Sequence, residues 1–267
     1  MVSYEEKYDL IHEVGKGSFG QVFCALSESN KTLTVKKISK EKTSLEKISK
    51  EVNALTLLSE CPSVPKYYQL RQDEDYYYLI LDYIVGKDLL HIIKEYGCFR
   101  ENYAKDIFCK IAKTLKAIHK KNVVHQDLKL ENIIYEHATQ KIHIIDFGFS
   151  TIVEENDDLC RGDAGSYEYI APEKLFYGKT LAYSGFKSDV WSLGIVLHTL
   201  VLNRFPWEKE KLKAYIAENK SYPTFKIEER FKSLLSDDLK DLLYQLLEND
   251  PDKRISLDQV LQHPWLS

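Results

Sequence analysis

The chain has 267 residues, 44% hydrophobic and 29% charged, with a formal net charge of -4 and a sequence pI near 6.1. That is enough apolar material to bury a core without disulfide or metal staples, and the mild acidity gives no global reason to expect nucleic acid or an anionic membrane as a partner. Five scattered cysteines, Cys24, Cys61, Cys98, Cys109 and Cys160, include no C-x-x-C pair, which argues against zinc and for a reducing compartment. Met1 to Lys7 lacks the apolar core of a signal peptide, and no run of about 18 apolar residues offers a membrane span. A soluble intracellular protein, cytoplasmic or nuclear, is expected.

Tyr8-Asp9-Leu10-Ile11-His12-Glu13-Val14 alternates as a strand and runs into Gly15-Lys16-Gly17-Ser18-Phe19-Gly20. Dinucleotide-binding folds also carry G-x-G-x-x-G, but there the third glycine opens a helix. Here Val22-Phe23-Cys24-Ala25-Leu26 reads as a second strand, so a hairpin whose glycine tip lets amides approach phosphates is preferred. Thr32 to Ile38 forms a third strand, and its period of two turns Lys36 and Lys37 to opposite faces. From Ser44 to Glu60, Leu45, Ile48, Val52, Leu55 and Leu58 recur every three or four positions, which predicts an amphipathic helix capped by Ser44 with Glu51 beside the stripe. Tyr76 to Ile84 reads as a strand, and Ala104, Ile107, Phe108, Ile111, Leu115 and Ile118 mark a second helix.

The densest chemistry follows. His125-Gln126-Asp127-Leu128-Lys129-Leu130-Glu131-Asn132 places a carboxylate, an ammonium and an amide within six positions, and Ile142-His143-Ile144-Ile145 then delivers Asp146-Phe147-Gly148. Two acids and an amide can hold a divalent metal against a triphosphate, with Lys129 neutralising the phosphoryl group as it moves. Each piece alone is ordinary, since Asp-Phe-Gly is a common turn and His-x-Asp a common surface loop. Their order and spacing carry the reading.

That order resembles the eukaryotic protein kinases, whose H-R-D-x-x-x-x-N loop stands here as H-Q-D-L-K-L-E-N, with Asp-Phe-Gly, Ala171-Pro172-Glu173 and Ser188-Asp189-Val190-Trp191-Ser192-Leu193-Gly194 behind it. The resemblance spans Tyr8 to Leu266. It implies an α+β, two-lobed protein-kinase-like fold: a small antiparallel β-sheet lobe plus one helix, and a larger, mostly helical lobe. A single domain over 1–267 is expected, with the small lobe about 1–82, a hinge about 82–88 and the large lobe about 89–267. ATP and Mg2+ are the implied cofactors. Gly15, Gly17 and Gly20 would cover the phosphates; Val22, Thr34 and Ile134 would close the adenine pocket; the Asp82 carbonyl and Ile84 backbone would meet the purine edge. Thr34 stands where the family usually has alanine. Lys36, matching the V-A-I-K lysine, would hold the α- and β-phosphates and Glu51 would orient it, Glu46 and Glu60 lying too near the helix ends. Asp127 would accept or orient the substrate hydroxyl proton, Lys129 would steady the phosphoryl group, and Asn132 and Asp146 would hold magnesium. Asp189 is expected as a strut at a helix N-terminus tying down the catalytic loop, and Arg254 as the buried partner of Glu173.

Gln126 departs from the family, whose arginine there meets an activation-segment phosphate. From Glu154 to Gly165 the chain has no Ser, Thr or Tyr, only the carboxylates of Glu154, Glu155, Asp157, Asp158 and Asp163. The implied enzyme does not depend on phosphorylation in this segment; the competing reading is that these acids are a solvated loop. Gly165-Ser166-Tyr167-Glu168-Tyr169 resembles G-T-x-x-Y, which with Lys129 implies serine or threonine acceptors on protein substrates. Glu131 and Asp88 suggest a basophilic preference. Phe205-Pro206-Trp207 looks most like the calmodulin-dependent or SNF1-related branch. A monomer without nucleic-acid or membrane partners is expected. The rival from another class is a pseudokinase scaffold, hinted at by Gln126 and Thr34, and a small-molecule kinase is disfavoured by the complete Gly165 to Glu173 segment.

Overall fold

In a computed structural model, residues 8–16 and 20–267 are described. They divide into two compact units, 1–85 and 86–267.

The first unit is a five-stranded antiparallel sheet and one helix: β1 (Tyr8–Lys16), β2 (Gly20–Ser27), β3 (Thr32–Ser39), α1 (Leu45–Leu57), β4 (Tyr67–Gln72) and β5 (Tyr76–Asp82). The strand order is β1-β2-β3-β5-β4. Alternation along β3 separates two packing layers. Leu33 and Val35 join Ala25 and Ile80 on one face, while Ile38 packs with Ile48 of α1 and Tyr77. Ser44 caps α1, its hydroxyl accepting the Lys47 amide. The buried stripe of that helix differs from the expected one. Leu45 is half exposed, and Glu51 and Ala54 are buried with Ile48 and Leu55. The helix is rotated so that a carboxylate faces the sheet, which a buried cation from β3 makes tolerable.

The second unit is mostly helical. A short ribbon runs from β6 (Lys87–Asp88) into α2 (Leu89–Tyr96), followed by α3 (Glu101–His119) and β7 (Val123–Val124). β8 (Ile133–Glu136) and β9 (Lys141–Ile144) complete a three-stranded sheet with β6. β10 (Thr151–Ile152) pairs with β7, and β11 (Leu159–Cys160) reaches past α4 (Pro172–Tyr177) to β12 (Tyr183–Ser184). The helices α5 (Gly185–Leu202), α6 (Lys209–Asn219), α7 (Glu229–Lys232), α8 (Asp237–Leu246) and α9 (Leu257–Leu261) follow.

Helix α5 is buried nearly all round, including Trp191, Leu193, Val196 and Leu200, as a helix apolar on every side must be. It packs between α3 and α8. The expected Arg254–Glu173 pair is present and bidentate, at 2.6 and 2.8 Å. Arg254 also donates to the carbonyls of Glu248 and Lys187, so its planar fork leaves little of the buried charge unanswered. Among the described residues, no helix is long and apolar enough to cross a membrane.

Candidate active site

In the first unit, β2 and β3 pair antiparallel, with Val22 opposite Lys36. β1 and β2 also pair antiparallel, so the third glycine opens a strand rather than a helix. Gly15 lies in β1, and Gly17 falls outside the described residues. At Gly20 a Cβ would run into the Lys37 carbonyl, so any side chain there would push β3 away. Lys36 is buried and its Nζ lies 2.7 Å from Glu51 Oε1. Lys37, on the other face, sits 4.0 Å from the centre of the Tyr76 ring. Asp82 ends β5 with its carboxylate engaged locally, accepting from the Lys66 amide at 3.2 Å and the Tyr68 hydroxyl at 2.5 Å. Ile84 follows, half-buried.

In the second unit, the catalytic loop is hung from α5. Asp189 is fully buried and accepts the amides of His125 and Gln126 at 2.8 and 2.9 Å, together with His119 Nε2 at 2.9 Å. Burial alone would raise this carboxyl, but the His119 ring and the loop amides outweigh it and hold it below the usual aspartate range. Asp189 is the expected strut, with one correction. It stands inside α5, whose N-cap is Ser184, so it serves amides of another segment and not the free amides of its own helix. The reason is that α5 begins at Gly185, where β12 ends.

The loop then delivers three side chains to one place. Asp127 Oδ1 accepts the Ser166 amide at 2.7 Å, and Oδ2 lies 2.8 Å from Lys129 Nζ. Lys129 also donates to Ser166 Oγ at 2.8 Å. Asn132 gives its amide nitrogen to the Asp127 carbonyl at 2.9 Å, turning its amide oxygen the other way. The Ile145 amide donates to the Asn132 carbonyl at 2.9 Å, which brings the residue before Asp146 against the same loop. Asp146 has a positive φ of 62° and accepts the Gly148 amide at 3.3 Å. An amide oxygen and a carboxylate are the hard donors that magnesium takes while keeping water and phosphate ligands, so Asn132 and Asp146 fit that ion. Among the described residues there is no cage of three or more His, Cys, Asp or Glu side chains. Ile134 lies in β8 opposite His143 and Asp88, half-buried.

Several contacts at this site carry no mark in the sequence. Gln126 Nε2 donates to Thr151 Oγ1 at 2.5 Å and its Oε1 accepts the Tyr183 hydroxyl at 2.9 Å. The neutral amide therefore ties the loop to β10 and β12 without any charge. Asp88 plays a structural part, since its Oδ1 accepts the His91 amide at 2.8 Å and caps α2. Of the acidic run, Asp158 accepts the Phe186 amide at 3.1 Å and the Ser184 hydroxyl, and Asp163 pairs with Lys179 at 2.9 Å.

A glutamate-braced lysine on a small sheet and an aspartate held by lysine and asparagine on a helical unit are features of one protein class. The model of the protein kinase domain matches residues 8–266, and the chain belongs to that family. It is 33% identical over 268 residues to mouse (Mus musculus) serine/threonine-protein kinase SIK1, covering 97% of this chain and 32% of that protein. To CDPK-related kinase 5 of Arabidopsis thaliana it is 32% identical over 276 residues, covering 99% and 45%. To CBL-interacting protein kinase 31 of Oryza sativa subsp. japonica it is 29% identical over 266 residues, covering 97% and 57%. The chain thus spans between a third and just over half the length of these relatives.

Proposed function

We propose that the chain transfers the γ-phosphoryl group of ATP to serine or threonine hydroxyls of protein substrates. The observation that carries this is Asp127, whose two carboxylate oxygens are fixed by the Ser166 amide and Lys129. A carboxylate so oriented is ready to take the hydroxyl proton as the phosphoryl group moves to the acceptor oxygen and ADP leaves. Lys129 steadies charge on the phosphoryl oxygens. Lys36, held by Glu51, positions the α- and β-phosphates, and Gly15, Gly17, Gly20, Val22, Asp82, Ile84 and Ile134 complete the nucleotide contacts. Asn132 and Asp146 would hold magnesium, whose charge would neutralise the phosphate oxygens.

Activity without activation-segment phosphorylation is part of this reading. It is supported by the Gln126 amide bonding to Thr151 and Tyr183, and by Asp158 and Asp163 each engaged by another element. A preference for arginine upstream of the acceptor now leans on Glu131, because Asp88 is occupied as a helix cap. We read the chain as a monomer without nucleic-acid or membrane partners. The pseudokinase alternative keeps Gln126 and Thr34 in its favour, against an intact Lys36, Glu51, Asp127, Lys129, Asn132 and Asp146.

One experiment separates these readings. Phosphatase-stripped protein is given γ-labelled ATP, magnesium and a mixed protein substrate, with Asp127→Asn and Asp146→Asn as controls. Label on Ser and Thr that falls by about a hundredfold or more in either variant supports the proposal; no label above the variants from the unsubstituted chain refutes it. Activity regained only on phosphorylation within 150–164 would end the independence claim. Equal turnover of peptides with Arg and Ala upstream would end the basophilic one.

A further inference from the structure

Lys174 is a charged side chain buried to 2% exposure, and the phosphoryl-transfer chemistry described above makes no use of it. It stands in α4 directly after Ala171-Pro172-Glu173, and its Nζ donates to the Gln126 carbonyl at 2.8 Å. Among the described residues that is its hydrogen-bond partner, and no carboxylate comes within ion-pair distance. A lone buried ammonium is unfavourable, and burial pushes this one below the ordinary lysine range against the pull of Asp189 and Asp127. That cost is borne for the sake of one carbonyl, that of the residue before Asp127.

Two further observations converge on the same atom, and a third links it to the catalytic side chains. Gln126 has a φ of 65° and is buried, a left-handed conformation that is uncommon for a residue with a side chain. Gly165 approaches so closely that a Cβ there would stand 2.9 Å from the Gln126 carbonyl and 3.4 Å from Lys174 Nζ. The residue after Gly165 is Ser166, whose amide and hydroxyl hold Asp127 and Lys129. The carbonyl is therefore the pivot between the catalytic loop and the segment that follows it.

We propose that Lys174 is a positioning residue for phosphoryl transfer: from α4 it clamps the Gln126 carbonyl and fixes the peptide plane leading into Asp127. The inference rests on the kinase reading above.

The test uses the phosphatase-stripped chain with Mg-ATP and a Ser/Thr peptide. Lys174→Met should lower kcat by about ten- to a hundredfold, the scale of a small misplacement in a reacting group, while KM for ATP stays unchanged. Lys174→Arg keeps a charged donor and should recover most of the lost rate. Amide hydrogen exchange at Gln126 and Asp127 should speed up in Lys174→Met, with α8 amides unchanged. A folded Lys174→Met with wild-type kcat and wild-type exchange overturns the proposal, as does one that loses only thermal stability. Should that variant not fold, Lys174→Gln against Lys174→Arg takes its place, and equal rates in the two overturn it. If the unsubstituted chain transfers no phosphate, the kinase reading has failed, and the exchange comparison still decides whether Lys174 braces the loop.

Discussion

His198 shows how one side chain ties stability to pH. It lies on α5 with Nδ1–H donating to the Arg204 carbonyl at 2.9 Å and its ring edge-on to Phe225. Burial drives its pKa from 6.5 down to about 4, with the Arg204 carbonyl pulling the other way. The folded pKa is below the unfolded one, so between those values the unfolded chain binds a proton that the folded chain refuses, and stability falls as pH falls through this window. The full gap is worth about 3 kcal/mol, from 1.36 kcal/mol per pH unit. Urea unfolding of His198→Asn between pH 7 and 4 should show a shallower loss than the unsubstituted chain; parallel curves would mean that His198 does not set this limb. Asp189 does not confuse the result, because its depressed carboxyl loses its stabilising charge only below the usual aspartate value. At this scale much of the site was legible. The kinase resemblance pointed to Lys36 and strand parity turned Lys37 away from it, and the two do part to opposite faces. Glu51, which the resemblance implied as the partner of Lys36, lies 2.7 Å from it. The Gln126 contacts were not legible, because Tyr183 lies 57 positions away and no periodicity relates them.

The segment from β10 to β12 is where local pattern was least informative and tertiary contact matters most. Its acidic run reads equally well as a solvated loop or as an anchoring device, and the structure divides it between the two. Asp158 joins Ser184 at the start of α5, accepting the Phe186 amide while its backbone carbonyl accepts the Gly185 amide at 2.8 Å. Glu154, Glu155 and Asp157 are exposed. The expected result for Asp158→Ala is a loss of about 1 kcal/mol in denaturant unfolding, the usual worth of a capping carboxylate, with faster protease cleavage between Glu154 and Gly165. Glu155→Ala is the control and should leave both unchanged; equal effects of the two would sink the distinction. The helices were easier to read than this segment. The three-to-four spacing found α1 and α3, and Ser44 found the start of α1. What it missed was rotation: Leu45 looked like core because spacing cannot tell the buried edge of a stripe from the exposed one.

At the scale of the whole molecule, composition excluded more than it identified, and the ordered motifs supplied the rest. Strand readings on both sides of the glycine motif made the β1–β2 hairpin legible, the rest of the antiparallel sheet being what the resemblance implied; the chain divides between Val85 and Gly86. The two units differ in one spectroscopic respect. All three tryptophans, Trp191, Trp207 and Trp265, belong to the second unit. Trp191 and Trp207 stack with ring centres 5.8 Å apart, and Trp265 lies edge-on to Phe108 at 5.7 Å. Indole emission is therefore a reporter on the helical unit alone, blind to melting of the sheet that bears Lys36. Far-ultraviolet dichroism sees both, so a gap between the midpoints recorded by the two signals would measure directly how far the units unfold as one.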